Sequence, residues 1–363
     1  MFAKIFKPPQ KDVSFQENFV FATPDIVSYE YTKKWCGTGS FSMTLPLDAA
    51  LLKKLSINYI INYDNDWLFI QNISYNNTQI ILSGTDLNGW FDMRITVFGE
   101  TQVAGADGYD VVKGTTGECV NHYLENNIIN PVDSERAIPL VIANTVTGIK
   151  DDSYMARLKR LSEEVIDLCN NAGIGYEIKS NMTGDSYRFY TKETVDRSAN
   201  QNINPRVVLS RKWGNVLDAT FEHSVDNCIN AIYATGANVT QTVYRDSSIP
   251  TGVFRRETAI DVSVDTVADI KQYALYQMQE NIEIHSYELS TNAVQQYGVK
   301  FNLGDKVTVK DDLTNNMFTE IITEVTKRYS RNENKISLSL GKQKPKLLNR
   351  IINDLTTGTI KKR

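Results

Sequence analysis

Along the first hundred residues, runs of apolar and aromatic positions are separated by short polar turn segments, the pattern of strands in a meander. This predicts strands at 27–32, 40–45, 59–63, 67–75 and 79–82, rich in β-branched and aromatic residues. Tyr63-Asp-Asn-Asp-Trp67 and Tyr75-Asn-Asn-Thr78 put Asp and Asn between the runs, where their side chains close Asx turns and accept left-handed backbone. The expected result is a meander that closes into a small barrel or sandwich.

Beyond Gly99 the period lengthens. Thr116 can cap a helix running to Asn130, with Cys119, Val120, Tyr123, Leu124 and Ile128 on one side and Pro131 as its stop. A second helix is predicted over 153–172. Met155, Leu158, Leu161, Val165 and Leu168 face inward there, Arg157, Lys159, Arg160, Glu163 and Glu164 face solvent, and Gly173 stands at the C-terminal cap. Strands at 175–179, 187–191, 206–209, 219–222 and 230–235 follow, with a short helix or turn near Trp213. A third helix, 266–281, has Thr266 and Asp269 in capping-box-like spacing and Val267, Ile270, Ala274 and Met278 inward. Strands return at 306–310, 318–325 and 335–340, with turns at Asp311-Asp312 and Asn332-Glu-Asn334. The order β-rich, mixed, β-rich without regular βαβ alternation is α+β.

After Pro345, Leu347, Leu348, Ile351, Ile352 and Leu355 form the apolar stripe of an amphipathic helix. It packs on its own body or docks in the groove of another subunit or protein, and these five residues are the candidate interface.

Charge sharpens this picture. The chain carries 39 Lys/Arg against 43 Asp/Glu, a net −4, so the whole molecule has no electrostatic reason to seek nucleic acid. From Lys327 onward, however, 11 Lys/Arg face only Glu333 and Asp354. An acidic body with a basic end is a device for self-association or for meeting an acidic partner. Hydrophobic residues at 41 % and aromatics at 10 % are ordinary globular usage. Neither a signal-peptide core nor an apolar run long enough to span a membrane stands out, so synthesis in the cytoplasm and no stable membrane insertion are expected. The Asn-x-Ser/Thr sequons at Asn72, Asn76, Asn181 and Asn238 are chance in an Asn-rich chain.

Catalytic chemistry is hard to find. Cys36, Cys119, Cys169 and Cys228 lie far apart with no CxxC, and reduced, buried thiols are expected. His122, His223 and His285 each lack a local partner set, so no metal site is predicted. Gly37-Thr-Gly39 and Gly173-Ile-Gly175 complete no phosphate loop, and Asp64/Asp66 and Asp311/Asp312 read as hairpin tips. No catalytic residue and no cofactor site are assigned. Trp67, Trp90 or Trp213 could supply the platform of a carbohydrate-binding module, though their apolar neighbours favour core packing. A polysaccharide hydrolase with two hidden carboxylates is the remaining alternative.

Several segments taken in order resemble the hub family of siphophage tail tips, the tail-associated (Tal-like) proteins related in fold to the baseplate hub of contractile-tailed phages. They are Ser28-Tyr-Glu-Tyr-Thr32 with Trp35, Gly39-Ser-Phe41 leading to Leu45-Pro46, Leu82-Ser-Gly-Thr-Asp-Leu87 with Arg94, Arg136-Ala-Ile-Pro139 and Ala172-Gly-Ile-Gly175. Asp196-Arg197, Trp213-Gly-Asn215, Asp226-Asn227, Tyr233-Ala-Thr-Gly236, Leu303-Gly-Asp-Lys-Val307 and Ser339-Leu-Gly341 continue the series, which spans about 25 to 341. A glycine expected before Asp196 is absent, so the loop there departs from the pattern. The chain ends soon after the hub region, so receptor-binding or wall-cleaving extensions of some relatives are not carried over.

The resemblance implies two β-barrel-like domains with an inserted mixed α/β domain: 1–100, then 101–204 with 241–294, then 205–240 with 295–341, and a terminal helix and basic tail at 342–363. It further implies a homotrimer of six barrels. This would be a non-enzymatic virion structural protein joining the tail tube or distal tail ring, and the tape measure protein, to distal tip parts. Assembly is expected in the bacterial host cytoplasm, without sequence-specific nucleic-acid binding.

Overall fold

Two tight turns set the register of the first strands in the computed structural model. It describes residues 2–10, 17–97, 110–180, 187–236, 240–245, 249–261, scattered positions from 267 to 281, and 283–291, 297–331 and 333–341. By contacts the chain divides into unit 1 (1–219 and 289–339) and unit 2 (220–288 and 340–363).

Unit 1 opens with β1 (Ala3–Phe6), β2 (Phe19–Thr23), β3 (Ser28–Lys34), β4 (Ser40–Pro46), helix α1 (Ala49–Leu52), β5 (Ile60–Tyr63), β6 (Asp66–Tyr75) and β7 (Gln79–Asp86). Between β5 and β6, Asp64 and Asn65 take φ of 52° and 62°, the left-handed pair that a two-residue hairpin demands. Between β6 and β7, Asn76 Oδ1 accepts from the Thr78 and Gln79 amides, at 2.9 and 3.0 Å, as an Asx turn. The alternating face of these strands buries Tyr29, Tyr31, Phe41, Met43, Leu45, Leu68, Ile80 and Leu82 together.

The next portion follows from β8 (Asp110–Thr115) into helix α2 (Thr116–Leu124), then β9 (Leu140–Asn144) and β10 (Lys150–Ala156), helix α3 (Leu161–Ala172), β11 (Ile174–Ser180), β12 (Tyr187–Glu193) and β13 (Val208–Leu209). The cap of α2 is Thr115 rather than Thr116: its hydroxyl accepts from the Glu118 amide while Glu118 returns a bond to the Thr115 amide, a full capping box. Cys119, Val120, Tyr123, Leu124 and Ile128 are all fully buried, as the spacing predicts. The α-helix ends at Leu124, and Glu125–Ile129 continues as a π turn. Residues 153–160 are not helical. Their first half is β10, hydrogen-bonded antiparallel to β8, and Leu158 has φ 52°, which ends any helix, leaving its side chain 61 % exposed. Glu164, expected in solvent, is buried and accepts from the Tyr154 hydroxyl at 2.5 Å. Gly173 takes the left-handed cap as predicted.

Unit 2 contains most of β14 (Asp218–Ser224), then β15 (Ala231–Thr235), β16 (Thr240–Tyr244), β17 (Glu257–Asp261) and the start of β18 (Ile284–Thr291). β15 pairs antiparallel with β16 and parallel with β17, so it does not join the strands of 295–341. Ile270, Ala274 and Met278 lie buried against Ile232, Ala234 and Val243. Val267 is half exposed, and Thr266 and Asp269 lie outside the described residues.

The chain closes unit 1 with β19 (Lys306–Lys310), β20 (Met317–Ser330) and β21 (Glu333–Gly341, to Ser339 within the unit). The main sheet of unit 1 runs β21-β20-β3-β4-β7-β6-β5-β1-β2, with β19 on β20 and β13 on β19. The architecture is mostly β. The small barrel expected of the first hundred residues does not close among the described strands: β2 pairs only with β1 and remains an edge. All four cysteines are free thiols, Cys119 and Cys169 buried and Cys36 and Cys228 partly so. No helix among the described residues is long and apolar enough to cross a membrane.

One buried carboxyl fixes the junction after β7. Asp86 accepts from the Tyr31 hydroxyl and the Gly39 amide, both at 3.1 Å, and from the Asn88 amide at 3.2 Å. Asn88 in turn donates to Gly37 O and accepts from the Ile178 amide, each at 2.9 Å. Burial outweighs these bonds and pushes the Asp86 carboxyl up to about 6. Its folded value exceeds the unfolded one, so the stabilisation is present below about pH 4 and is lost as pH rises through 6. Relative to Asp86→Asn, the wild-type chain is expected to lose about 2 kcal/mol of unfolding free energy between pH 4 and pH 7. Urea unfolding of both proteins at the two pH values checks this, and a pH-independent difference would contradict it.

Candidate functional site

Two loops of unit 1 are built to present apolar side chains outward. In the first, after β13, Gly214 takes φ 72° and its amide donates to Arg211 O at 2.9 Å. Asn215 clamps the loop from inside, its Oδ1 accepting from the Ser210 amide at 2.9 Å and its Nδ2 donating to Val208 O at 2.8 Å. The second loop is the tip between β19 and β20. Asp311 accepts there from the Leu313 amide at 2.9 Å and the Thr314 hydroxyl at 2.7 Å, and Asn315 is left-handed at φ 58°.

Asp312 ties the two loops together, accepting from the Ser210 hydroxyl and the Lys212 amide, each at 2.9 Å. The Lys212 amide holds the Asp312 carboxyl below its ordinary range, and the Thr314 hydroxyl does the same for Asp311. What this scaffold displays is Trp213 at 60 %, Leu217 at 57 % and Leu313 at 90 % exposure. Of the three, the exposed tryptophan is a residue type enriched at the energetic centres of interfaces. Trp67 and Trp90 are core residues as expected, whereas Trp213 is not, because its neighbours Lys212, Gly214 and Asn215 are spent on holding the turn.

A second feature of unit 1 is a network of buried charge. Glu177 on β11 meets Lys33 on β3 at 3.0 Å, Lys179 at 2.8 Å and Lys192 on β12 at 2.6 Å. Asp66 on β6 meets Lys327 on β20 at 2.7 Å and Lys33 at 3.9 Å, and Lys327 also reaches Asp64 at 3.2 Å. Burial works against the Glu177 charge, yet the lysines hold its carboxyl far below the usual range. Burial likewise opposes the Lys33 ammonium, and Glu177 and Asp66 keep it well above its ordinary value. Asp66 is pushed up by burial despite its two lysines. Lys33, Glu177 and Lys192 line a cleft of about 630 Å³ together with Trp35, Tyr176 and Asp305 among others. The ion pairs of this network join β3, β6, β11, β12 and β20.

The histidines separate. His122 is satisfied by Asp110, Nε2 to Oδ1 2.8 Å. In unit 2, His223, Glu283 and His285 bring three ligand atoms within 4.8 Å of one another, which could hold a metal ion. No metal site is legible in the sequence because the two histidines lie on different strands; the only local signal is Glu283-x-His285, which a strand puts on one side. The terminal stripe Leu347, Leu348, Ile351, Ile352 and Leu355 lies outside the described residues.

The family model described as Siphovirus ReqiPepy6 Gp37-like protein matches residues 18–245 and 267–342. No curated protein matches the chain. Among solved structures, the fold is that of the 43 kDa tail protein of prophage MuSo2 from Shewanella oneidensis, at TM-score 0.57 and 13 % identity over 94 % of this chain and 97 % of that one. The prophage tail protein gp18 of Listeria monocytogenes is similar at TM-score 0.56 and 11 % identity, over 98 % and 99 %. A chain of the Francisella PdpA–VgrG complex is similar at TM-score 0.55 and 11 % identity, over 95 % of this chain and 54 % of that one.

Proposed function

The chain belongs to the siphovirus ReqiPepy6 Gp37-like family, and from that premise and its tail-protein fold we propose that it is the hub of a phage or prophage tail tip. It is a tail structural component, and in this reading it is non-enzymatic and closes as a homotrimer in the virion tail. The hub joins the tail tube or distal tail ring, and the tape measure protein, to distal tip parts, after assembly in the host cytoplasm.

The observation that carries this reading is the pair of braced loops that present Trp213, Leu217 and Leu313. A structural hub works by interface burial, a stable contact takes more than about 1,000 Å², and its energy concentrates on a few aromatic and aliphatic anchors. In this reading the apolar stripe Leu347, Leu348, Ile351, Ile352 and Leu355 of the sequence is a second contact.

Light scattering behind size exclusion on the full chain is expected to give three times the 41.1 kDa chain mass, alone or on addition of a distal tail protein. Trp213→Asp, and separately Leu348→Asp with Ile352→Asp, are each expected to weaken trimer or partner assembly at least tenfold, on the order of a hot-spot truncation. A monomer under all conditions, or variants that assemble like the wild type, would overturn the reading. The exposed Trp213 indole also favours a second reading, a carbohydrate-binding module. Glycan binding lost in Trp213→Ala, with assembly unchanged, is the result that would select it.

A further inference from the structure

His223, Glu283 and His285 lie within unit 2, on the strand by which the chain enters it and at the start of the strand by which it leaves. Both histidine Nε2 atoms point at one atom, Glu283 Oε1: His285 at 3.4 Å, and His223 in closer contact. The two rings meet edge to face at 4.4 Å between centroids. Two residues further along each strand, Phe221 stacks on Tyr287 with centroids 4.7 Å apart. Contacts of 221 with 287 and of 223 with 285 are those of antiparallel partners, so side chains at i and i+2 share one face. Tyr287 is buried and anchors the strand pair beside the cluster, on the same face.

We propose that His223 Nε2, His285 Nε2 and a Glu283 carboxylate oxygen bind a divalent transition ion of the zinc class. Metal–ligand distances near 2.0–2.1 Å in a tetrahedron set neighbouring donors about 3.3 Å apart. The His285–Glu283 separation of 3.4 Å is already such an edge, and the three atoms lie within 4.8 Å. Closing the site therefore needs only side-chain rotations, and all three side chains are part-exposed and free to make them. Two imidazoles with one carboxylate select Zn²⁺, Co²⁺ or Ni²⁺ over Ca²⁺ and Mg²⁺, which prefer all-oxygen sets. Three protein ligands leave a fourth position for water or for a donor from a neighbouring molecule. The bound ion clips β14 to β18 on their exposed face.

Calorimetric titration of the untagged full chain with Zn²⁺ is expected to show one equivalent bound, with a matching rise in Tm as metal increases. Co²⁺ is expected to develop the visible bands of a four-coordinate site. His223→Ala and His285→Ala should each weaken Zn²⁺ by at least roughly the 10- to 100-fold that losing even an outer-shell partner costs. His122→Ala, at the other partnered histidine, should leave affinity unchanged. No binding at 1:1 by either ion, or Zn²⁺ affinity unchanged in the His223→Ala/His285→Ala double variant, overturns the site. The cobalt spectrum of the wild type decides the question even if a variant fails to fold.

Discussion

Gly304→Ala is expected to cost unit 1 about 3 kcal/mol or more and to lower its Tm by roughly 6–12 °C. A Cβ at Gly304 would lie 2.0 Å from Cζ3 of Trp35, and one at Gly175 would lie 2.3 Å from Cδ2 of the same ring. Such a contact is relieved only if the ring or the backbone moves, and both are held. The Gly304 amide donates to Ile322 O at 2.9 Å, the Trp35 amide donates to Thr323 O at 2.8 Å, and the Tyr176 amide donates to Trp35 O at 3.1 Å. Gly304 also has φ 90°, where an L residue is strained whatever the space. Gly214→Ala is the control: it shares the left-handed backbone at φ 72° but meets nothing within 4 Å, so only the backbone cost of about 1–2 kcal/mol applies. Thermal unfolding of the two variants separates steric from conformational cost. Equal losses would mean that the indole yields and is not wedged.

That cluster also shows what a sequence can and cannot convey. Trp35, Gly175 and Gly304 sit in three of the segments that resemble the tail-tip hub family, with no local reason to be linked, and the fold brings them into one contact. Arg94 and Arg136 belong to two more: Arg94 Nε donates to Arg136 O at 2.9 Å, and Arg136 donates to Ile95 O at 2.7 Å. Arg197 and Asp305 pair at 2.8 Å in the same way. The ordered segments thus mark long-range packing rather than chemistry. Where periodicity has a single partner to satisfy, it is legible: all five residues predicted to face inward from 116–130 are buried, joined by Thr116, Gly117 and Asn127.

It misled at 153–160, where apolar spacing fits a helix but β8 offers an open strand edge, and tertiary hydrogen bonding overrides a weak local preference. Trp213 was misjudged for a different reason. Burial is a property of the final surface: in this loop Val216 turns inward while Trp213 and Leu217 are left outside, a choice that the local sequence does not encode. The Lys33–Glu177–Lys192 and His223–Glu283–His285 groups were invisible because each is assembled from strands distant in sequence.

Glu177→Ala should cost about 3–5 kcal/mol at pH 7, the penalty for leaving buried charge uncompensated. The side chain of Glu177 is 8 % exposed and that of Lys33 only 26 %, so the pair is poorly screened. Removing the carboxylate leaves Lys33, Lys179 and Lys192 converging on a vacancy, with only Asp66 at 3.9 Å to answer Lys33. Lys179 and Lys192, each 44 % exposed, can turn toward solvent, so the cost falls chiefly on Lys33. The pH dependence has a definite sign. The folded carboxyl titrates far below its unfolded value of about 4.3, so its stabilisation is present above that pH and is lost as pH falls. The wild-type advantage over Glu177→Ala should therefore be full at pH 7 and shrink steadily below pH 4. Lys33→Met in the Glu177→Ala background should restore part of the loss, because an apolar side chain of similar length needs no counter-charge. Urea unfolding of the four proteins of this cycle measures the coupling directly. A Glu177→Ala cost below about 1 kcal/mol at pH 7, with no coupling to Lys33, would mean that the network behaves as solvated surface pairs and does not hold β3 to β11.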